Sequence, residues 1–177
     1  QMAAYRAIVP DHVPVVPVPF PFCRHFEKNR RRAGHDIDVF FSGTQTRHRK
    51  MVVELLKQRF QVCEGIFFPD YLRREFVARS KTCLSLRQSA NWQYPSPMRY
   101  WYYLNHGCCV VAESSPQKCQ LDNYVISASV EHLPDVIEEL ARTDLWQRVA
   151  RETFERYSAE YPCLPAAEEF LDRTFGK

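Results

Sequence analysis

The stretch SPMRYWYYLNHGCCVVAE, residues 96–113, predicts a helix, a glycine stop and a buried strand that ends in a carboxylate. Ser96 is a typical N-cap residue, and Pro97 suits the first helical position. Gly107 fits the left-handed residue that ends many helices. The apolar run CCVVA at 108–112 is short enough for a strand buried on both faces, which is typical of parallel sheets.

This unit places a cation and a carboxylate where open parallel sheets bind ligands, at strand ends and helix starts. Arg99 lies in the first turn of the predicted helix, and Glu113 ends the predicted strand. We expect Arg99 to bind a diphosphate at the helix start that Ser96 opens. We expect Glu113 to accept hydrogen bonds from ribose or sugar hydroxyls. Alternatively, Arg99 and Glu113 pair with each other and hold the helix to the strand.

The composition is that of a soluble globular domain. Of the 177 residues, 45% are hydrophobic and 25% are charged. No apolar run reaches the roughly 18 residues of a transmembrane helix, and the first residues lack a signal-peptide pattern. The 7 cysteines are an odd number without C-x-x-C spacing, which favours reduced thiols and argues against zinc. Together these features predict a cytoplasmic protein without a membrane span.

The charge is mild overall but uneven along the chain. The formal net charge is +3, whereas residues 24–50 are rich in arginine and lysine. This basic stretch suits a phosphate-bearing ligand or an acidic surface, and the alternative is a solvated loop and helix face. A nucleic-acid site that combines the arginines at 30–32 with Trp92 and Tyr94 is disfavoured by the low net charge.

Strands alternate with helices along the chain, which predicts an α/β fold. The order and spacing favour a Rossmann-like parallel sheet with helices on both faces. Residues 1–36 are predicted to be an extended connector because of their prolines, 37–160 the Rossmann-like domain, and 161–177 a closing helix. Strands are predicted at 37–43, 61–68, 82–86, 108–112 and 123–128, and helices at 46–59, from Asp70 onward, and at 96–106, 130–142, 144–158 and 165–175.

The turn SGTQTRHRK, residues 42–50, is a second candidate for ligand contact. Gly43 allows a sharp backbone turn at the end of the first predicted strand. Thr44 can supply a hydroxyl and Arg47 a fork of donors, which suits a phosphate at a helix start. The alternative is a capped helix with its cations in solvent. Neither G-x-G-x-x-G nor a P-loop motif occurs, which argues against a standard dinucleotide or P-loop site.

The loop RQSANWQYPS, residues 87–96, carries two aromatic side chains. Trp92 and Tyr94 can stack on a base or a sugar, or they can pack beneath the loop. His48 and His106 fall near the same predicted crevice, but the sequence shows a partner for neither.

Three blocks of the chain resemble the C-terminal half of a GT-B glycosyltransferase of the group 1-like type. They are IDVFFSGTQTRHRKMVVELL at 37–56, FVARSKTCLSL at 76–86, and SPMRYWYYLNHGCCVVAES at 96–114. The last block carries an R-x₇-G-x-x-V-V pattern and is the most specific of the three. The resemblance spans residues 37–157.

The resemblance implies two Rossmann-like domains facing a cleft, of which this chain is the one that binds a nucleotide-diphospho sugar. Gly43 and Thr44 would lie near the diphosphate, and Arg99 would match the arginine that opens the long helix. Tyr102 stands where many relatives have a glutamate that contacts the donor's ribose or sugar, so Glu113 is the carboxylate that could take its place. The acceptor would bind a second, N-terminal Rossmann-like domain, in the same or another chain.

The leading hypothesis is therefore the donor-binding domain of a glycosyltransferase, which transfers a sugar to an acceptor that the sequence does not identify. Arg99, Arg47 and the helix start would neutralise the leaving diphosphate without a metal ion. Asp36 and Asp38 precede an apolar strand instead of following one, which favours metal-independent transfer. The alternative function is a non-catalytic interaction or ligand-binding module on the same scaffold.

Overall fold

The computed structural model describes residues 7–10, 20–23 and 34–175, and its centre is a five-stranded sheet. All neighbouring strands are parallel, in the order β2-β1-β3-β4-β5. This arrangement confirms the predicted Rossmann-like α/β class. The strands are β1 (Ile37–Ser42), β2 (Val62–Gly65), β3 (Ser80–Ser85), β4 (Cys109–Glu113) and β5 (Ile126–Ala128).

Six helices connect and cover these strands in the described part of the chain. A short 3-10 turn, Asp122–Tyr124, precedes β5. No helix among the described residues is long and apolar enough to cross a membrane. The helices are α1 (Arg47–Lys57), α2 (Asp70–Ala78), α3 (Pro97–Asn105), α4 (Leu133–Arg142), α5 (Leu145–Glu160) and α6 (Cys163–Phe175).

The side chains of the sheet alternate between two separate cores. In β1, Val39 and Phe41 pack with α1, α4 and the start of α5, whereas Phe40 packs with α2, α3 and Tyr157 of α5. Strand β4 divides in the same way, with Val111 on the first face and Val110 on the second. Both faces are buried because helices cover both, as the apolar run of β4 predicts.

The strand order reverses between β1 and β3, and this reversal positions the site. Strand β1 pairs with β2 on one side and with β3 on the other, so the connections that leave β1 and β3 lie on opposite faces of the sheet. Such a reversal opens a crevice at the carboxyl ends of the two strands. The residues after Ser42 and Ser85 form the walls of this crevice.

Two helix boundaries, the start of α1 and the end of α3, agree closely with the sequence. Thr46 caps α1, since its side chain accepts a hydrogen bond from the backbone N–H of Arg49. Gly107, with φ +65, ends α3, and the two bonds that follow, Gly107 N to Leu104 O (3.0 Å) and Cys108 N to Tyr103 O (3.1 Å), form a Schellman motif.

Ser96 stands at the N-cap of α3, as predicted, but the expectation that its hydroxyl caps the helix is wrong. Its ψ of 85° departs from the extended ψ of 165° at Thr46, and its side chain makes no cap hydrogen bond. Its carbonyl oxygen instead accepts from the backbone N–H groups of Arg99 (3.0 Å) and Tyr100 (3.1 Å). The backbone carbonyl of Ser96, and not its hydroxyl, therefore makes the hydrogen bonds at this helix start.

The second predicted strand is shorter than expected. Residues 61–68 were expected to be extended, but β2 ends at Gly65. Gly65 pairs with Ser42, the last residue of β1, so the residues beyond it have no strand on which to continue the ladder.

Residues 20–23 are held against α3 and α5. Pro21 O accepts from Trp101 Nε1 (2.8 Å), and Phe20 O accepts from the Tyr157 hydroxyl (2.6 Å). The backbone N–H of Cys23 donates to Asn105 Oδ1 (2.6 Å). The rest of the predicted connector, apart from 7–10 and 34–36, lies outside the described residues, as do the arginines at 30–32.

Candidate functional site

Two clefts open at the crevice, one on each side of the start of α3. The larger, about 350 Å³, is called the arginine cleft and is lined by Ser42, Gly43, Arg73, Ser96, Arg99 and Tyr102, among others. The smaller, about 200 Å³, is called the aromatic cleft and is lined by Arg87, Trp92, Tyr94, Ser96, Tyr100 and Ser115, among others. Because Ser96 and Met98 line both clefts, the start of α3 is a shared wall.

Arg99 is a half-buried cation whose hydrogen bonds to the described residues go only to backbone carbonyls. Its Nε donates to Ser42 O (3.2 Å) and its Nη1 to Leu86 O (3.4 Å). Its guanidinium lies 5.4 Å from the centre of the Phe41 ring. No carboxylate among the described residues pairs with Arg99, so its charge is not neutralised within that part of the chain. Burial lowers the pKa of this guanidinium, as expected for a cation without a counterion.

Arg49 is a buried cation that hydrogen-bonds to the backbone on both sides of the crevice. Its guanidinium donates to Arg87 O (3.0 Å), Thr44 O (3.0 Å) and Leu86 O (3.2 Å), and the side chain is 8% exposed. These bonds tie the loop after β1 to the loop after β3. Burial lowers the pKa of Arg49, as does the nearby Arg99, and the charge of Glu113 opposes both effects.

Arg73 is a second cation in the arginine cleft, and our sequence reasoning missed it. It lies in the first turn of α2, which begins beyond the end of β2. Its guanidinium is 4.6 Å from the centre of the Tyr102 ring and 3.5 Å from an oxygen of Asp70, while its buried Nε has no hydrogen-bond partner among the described residues. The rule that found Arg99, a cation at a helix start beyond a parallel strand, could also have found Arg73.

Tyr102 occupies the position at which the resemblance calls for a glutamate. Its hydroxyl donates to Asp70 Oδ1 (3.1 Å), and its ring stacks on His106 at 4.4 Å between centres. Burial, reinforced by the charge of Asp70, raises the pKa of the Tyr102 phenol, so the side chain is neutral. The helix therefore presents a neutral side chain to the arginine cleft, and the one hydroxyl proton of that side chain is already donated to Asp70.

Glu113 is buried, at 2% exposure, and its carboxylate is engaged by protein groups. It accepts from His48 Nε2 (2.9 Å), from the backbone N–H of Arg87 (2.9 Å) and from Arg87 Nε (2.7 Å). The salt bridge to Arg99 that we weighed does not form, because Arg87 and His48 take its place. The partner that the sequence could not show for His48 is Glu113.

The predicted site residues separate into three groups. Gly43, Ser96 and Arg99 come together in the arginine cleft, and Glu113 lines the aromatic cleft, as Ser96 also does. Thr44 and Arg47 are exposed and line neither of these two clefts. No group of three histidine, cysteine, aspartate or glutamate side chains among the described residues is placed to hold a metal ion.

No protein-family model matches this chain, and no curated protein matches it either. What the site can bind therefore follows from its own side chains. Two guanidiniums, a glycine turn and a helix start favour an anion such as a diphosphate. The neighbouring Trp92 and Tyr94 rings, 45% and 40% exposed, favour a flat ring attached to that anion.

Proposed function

We propose that this chain is the donor-binding domain of a glycosyltransferase, and that it binds a nucleotide-diphospho sugar across the two clefts. The observation that carries the proposal is that no carboxylate of the described residues neutralises Arg99, which lies at the point where the strand order reverses. A buried cation costs free energy unless an anion pairs with it. A bound diphosphate would supply that anion.

The geometry supports a role in stabilising a leaving group. Arg99 and Arg73 line the same cleft as the start of α3, where the positive end of the helix dipole attracts negative charge. Nucleoside diphosphate is the leaving group when a sugar is transferred from such a donor, and it gains charge as the sugar–phosphate bond breaks. Cationic groups fixed in place before the reaction stabilise that charge without rearrangement.

The surface beside the arginine cleft supports a second domain as partner. Ile66 and Met98 line this cleft and are 76% and 61% exposed, and Phe68 nearby is 84% exposed. Apolar side chains grouped at the edge of a charged cleft are typical of an interface that closes over a ligand. A Rossmann-like acceptor domain, in this or another chain, fits that requirement, and the acceptor and any general base would come from it.

The test is calorimetric titration of the protein with UDP-, GDP-, CDP- and CMP-linked sugars and with UDP, GDP, CDP and ADP. We expect one nucleoside diphosphate and its sugar to bind, and the Arg99→Gln variant to lose at least tenfold in affinity. The midpoint of thermal unfolding should stay near that of the wild type, because removing an unneutralised charge offsets the lost hydrogen bonds. The exposed Arg148→Gln on α5 is the control for loss of charge alone. Failure of every nucleotide to bind would refute the proposal.

A second candidate, a non-catalytic binding module on this scaffold, is favoured by one observation. Tyr102, tied to Asp70, leaves the helix without a carboxylate where the resemblance places a donor-contacting glutamate. The two functions differ in outcome when the nucleotide sugar is incubated with the complete protein and its acceptor domain. Release of nucleoside diphosphate supports the enzyme, whereas tight binding with no release supports the module.

A further inference from the structure

We propose that Glu113 is a positioning residue: through Arg87 it fixes the loop at 87–96 so that Trp92 and Tyr94 hold the nucleobase of the donor in the aromatic cleft. This inference rests on the proposed function for the identity of the ligand. The link between Glu113 and the loop is independent of any ligand. From the sequence, we expected Glu113 to contact the ligand. Glu113 instead has a different role, in which it shapes the ligand pocket through Arg87.

The first step is that protein groups already occupy the hydrogen-bonding positions of the Glu113 carboxylate. The carboxylate receives the backbone N–H and Nε of Arg87, at 2.9 and 2.7 Å, and His48 Nε2 at 2.9 Å. Arg87 Nη2 adds a contact of 2.7 Å. A carboxylate that is 2% exposed and already accepts these bonds has little room for a ribose hydroxyl. Its strong interactions are with its own chain.

The second step is the reach of Arg87. While Nε and Nη2 face Glu113, Nη1 donates to Ala90 O (2.8 Å) and Trp92 O (3.2 Å). One guanidinium therefore spans from the buried end of β4 to the interior of the loop. Its planar fork allows these bonds at the same time, which a lysine ammonium on a flexible stem would not reproduce.

The third step is the shape that the loop acquires. The ends of this loop are tied elsewhere, by Thr46 Oγ1 to Gln88 O (2.7 Å) and by the backbone N–H of Gln117 to Gln93 O (2.9 Å). Arg87 binds the turn between these ties, where Trp92 stands. Without a carboxylate behind it, the guanidinium would gain by moving to solvent, and the turn would lose its central support.

The fourth step is the character of the pocket that results. Trp92 and Tyr94 border it while remaining 45% and 40% exposed, so their ring faces are accessible. Ser115 also lines it, and its buried Oγ has no partner among the described residues. The two aromatic rings can stack on the face of a base, and the Ser115 hydroxyl can form a hydrogen bond with its edge.

The test separates the two clefts by ligand. We expect Glu113→Gln to weaken binding of the tightest nucleoside diphosphate among UDP, GDP, CDP and ADP at least tenfold. Inorganic pyrophosphate, which needs only the arginine cleft, should bind within twofold of the wild type. An equal loss for both ligands would reveal a general structural role, and no loss for either would leave Glu113 without a positioning role. Either result overturns the proposal.

Arg87→Met provides a second variant if Glu113→Gln fails to fold, and the same pattern is expected. The exposed Lys118→Met, in the turn after β4, is the matched control and should change neither affinity.

A measurement without ligand keeps the inference distinguishable from the proposed function. Acrylamide quenching of Trp92, obtained by difference from matching Trp92→Phe proteins, should rise at least twofold in Glu113→Gln and in Arg87→Met. If the wild type binds neither ligand, the proposed function fails while this readout still decides the link between Glu113 and the loop. Unchanged quenching in both variants overturns it.

Discussion

Arg99 and Gly43 are in direct contact, and the contact depends on the missing side chain of the glycine. A Cβ added at Gly43 would lie 2.7 Å from Nη2 of Arg99, and Gly43 has a φ of +154°. The guanidinium therefore occupies the space that any other residue would fill. The position of the Arg99 cation at the arginine cleft therefore depends on the glycine in the sharp turn after β1.

Gly43→Ala should weaken binding of pyrophosphate by about tenfold, because the methyl group displaces the guanidinium. The free energy of unfolding should fall by about 1 to 2 kcal/mol from backbone strain. Gly34→Ala is the matched control, since Gly34 also has a left-handed φ of +99° but no atom within 4 Å of the added Cβ. Calorimetry and urea denaturation of both variants decide the matter. Equal affinities in the two would contradict the contact.

His106 should make the protein less stable in mild acid. Burial lowers the pKa of His106, whose Nδ1 donates to Tyr102 O at 2.7 Å. The unfolded chain therefore binds a proton more readily, and stability falls as the pH drops below about 6.5. Urea denaturation between about pH 7 and 5 should show a shallower loss in His106→Asn than in the wild type. The exposed His132→Asn should keep the wild-type slope, and identical slopes in all three proteins would refute the assignment.

Asn105 should be essential for holding residues 20–23. It is fully buried at 0% exposure, accepts from Cys23 N at 2.6 Å and donates to Trp101 O at 2.8 Å. Asn105→Ala leaves the Cys23 N–H without its partner, which should cost about 2 kcal/mol in urea denaturation. It should also speed proteolytic cleavage near Cys23. The exposed Asn123→Ala should behave as the wild type, and a stable, protease-resistant Asn105→Ala would show that the anchor lies elsewhere.

Local signals predicted the architecture well because they do not depend on distant partners. Gly107 ends its helix because the left-handed residue of a Schellman motif favours glycine, and β4 is a buried strand because both faces of its apolar run must be covered. The same reasoning predicted that Ser96 lies at the N-cap, but it did not predict that the Ser96 hydroxyl makes no cap hydrogen bond. Capping by the side chain depends on the ψ angle of the N-cap residue, which the sequence pattern does not fix.

The partners in the site were harder to predict because they are chosen by tertiary structure. Glu113 contacts His48, 65 positions away, and Arg87, 26 positions away, whereas Arg99 was the nearer cation in the predicted unit. Several cations fall near the crevice, and only the packing decides which of them reaches the carboxylate. Arg73 was missed although the helix from Asp70 onward was predicted, and the rule of a cation at a helix start beyond a parallel strand applies to it as well.

The oxygen of Leu86 accepts hydrogen bonds from Arg49 and from Arg99, side chains that belong to helices on opposite faces of the sheet. The Leu86 carbonyl thus links the helices on both faces of the sheet to the rim of the crevice. A ligand that arrives there meets a recess already in its final shape, so the protein loses little conformational freedom on association. Any closure over a bound ligand would then come from a partner domain, because the backbone at this rim is already held in place.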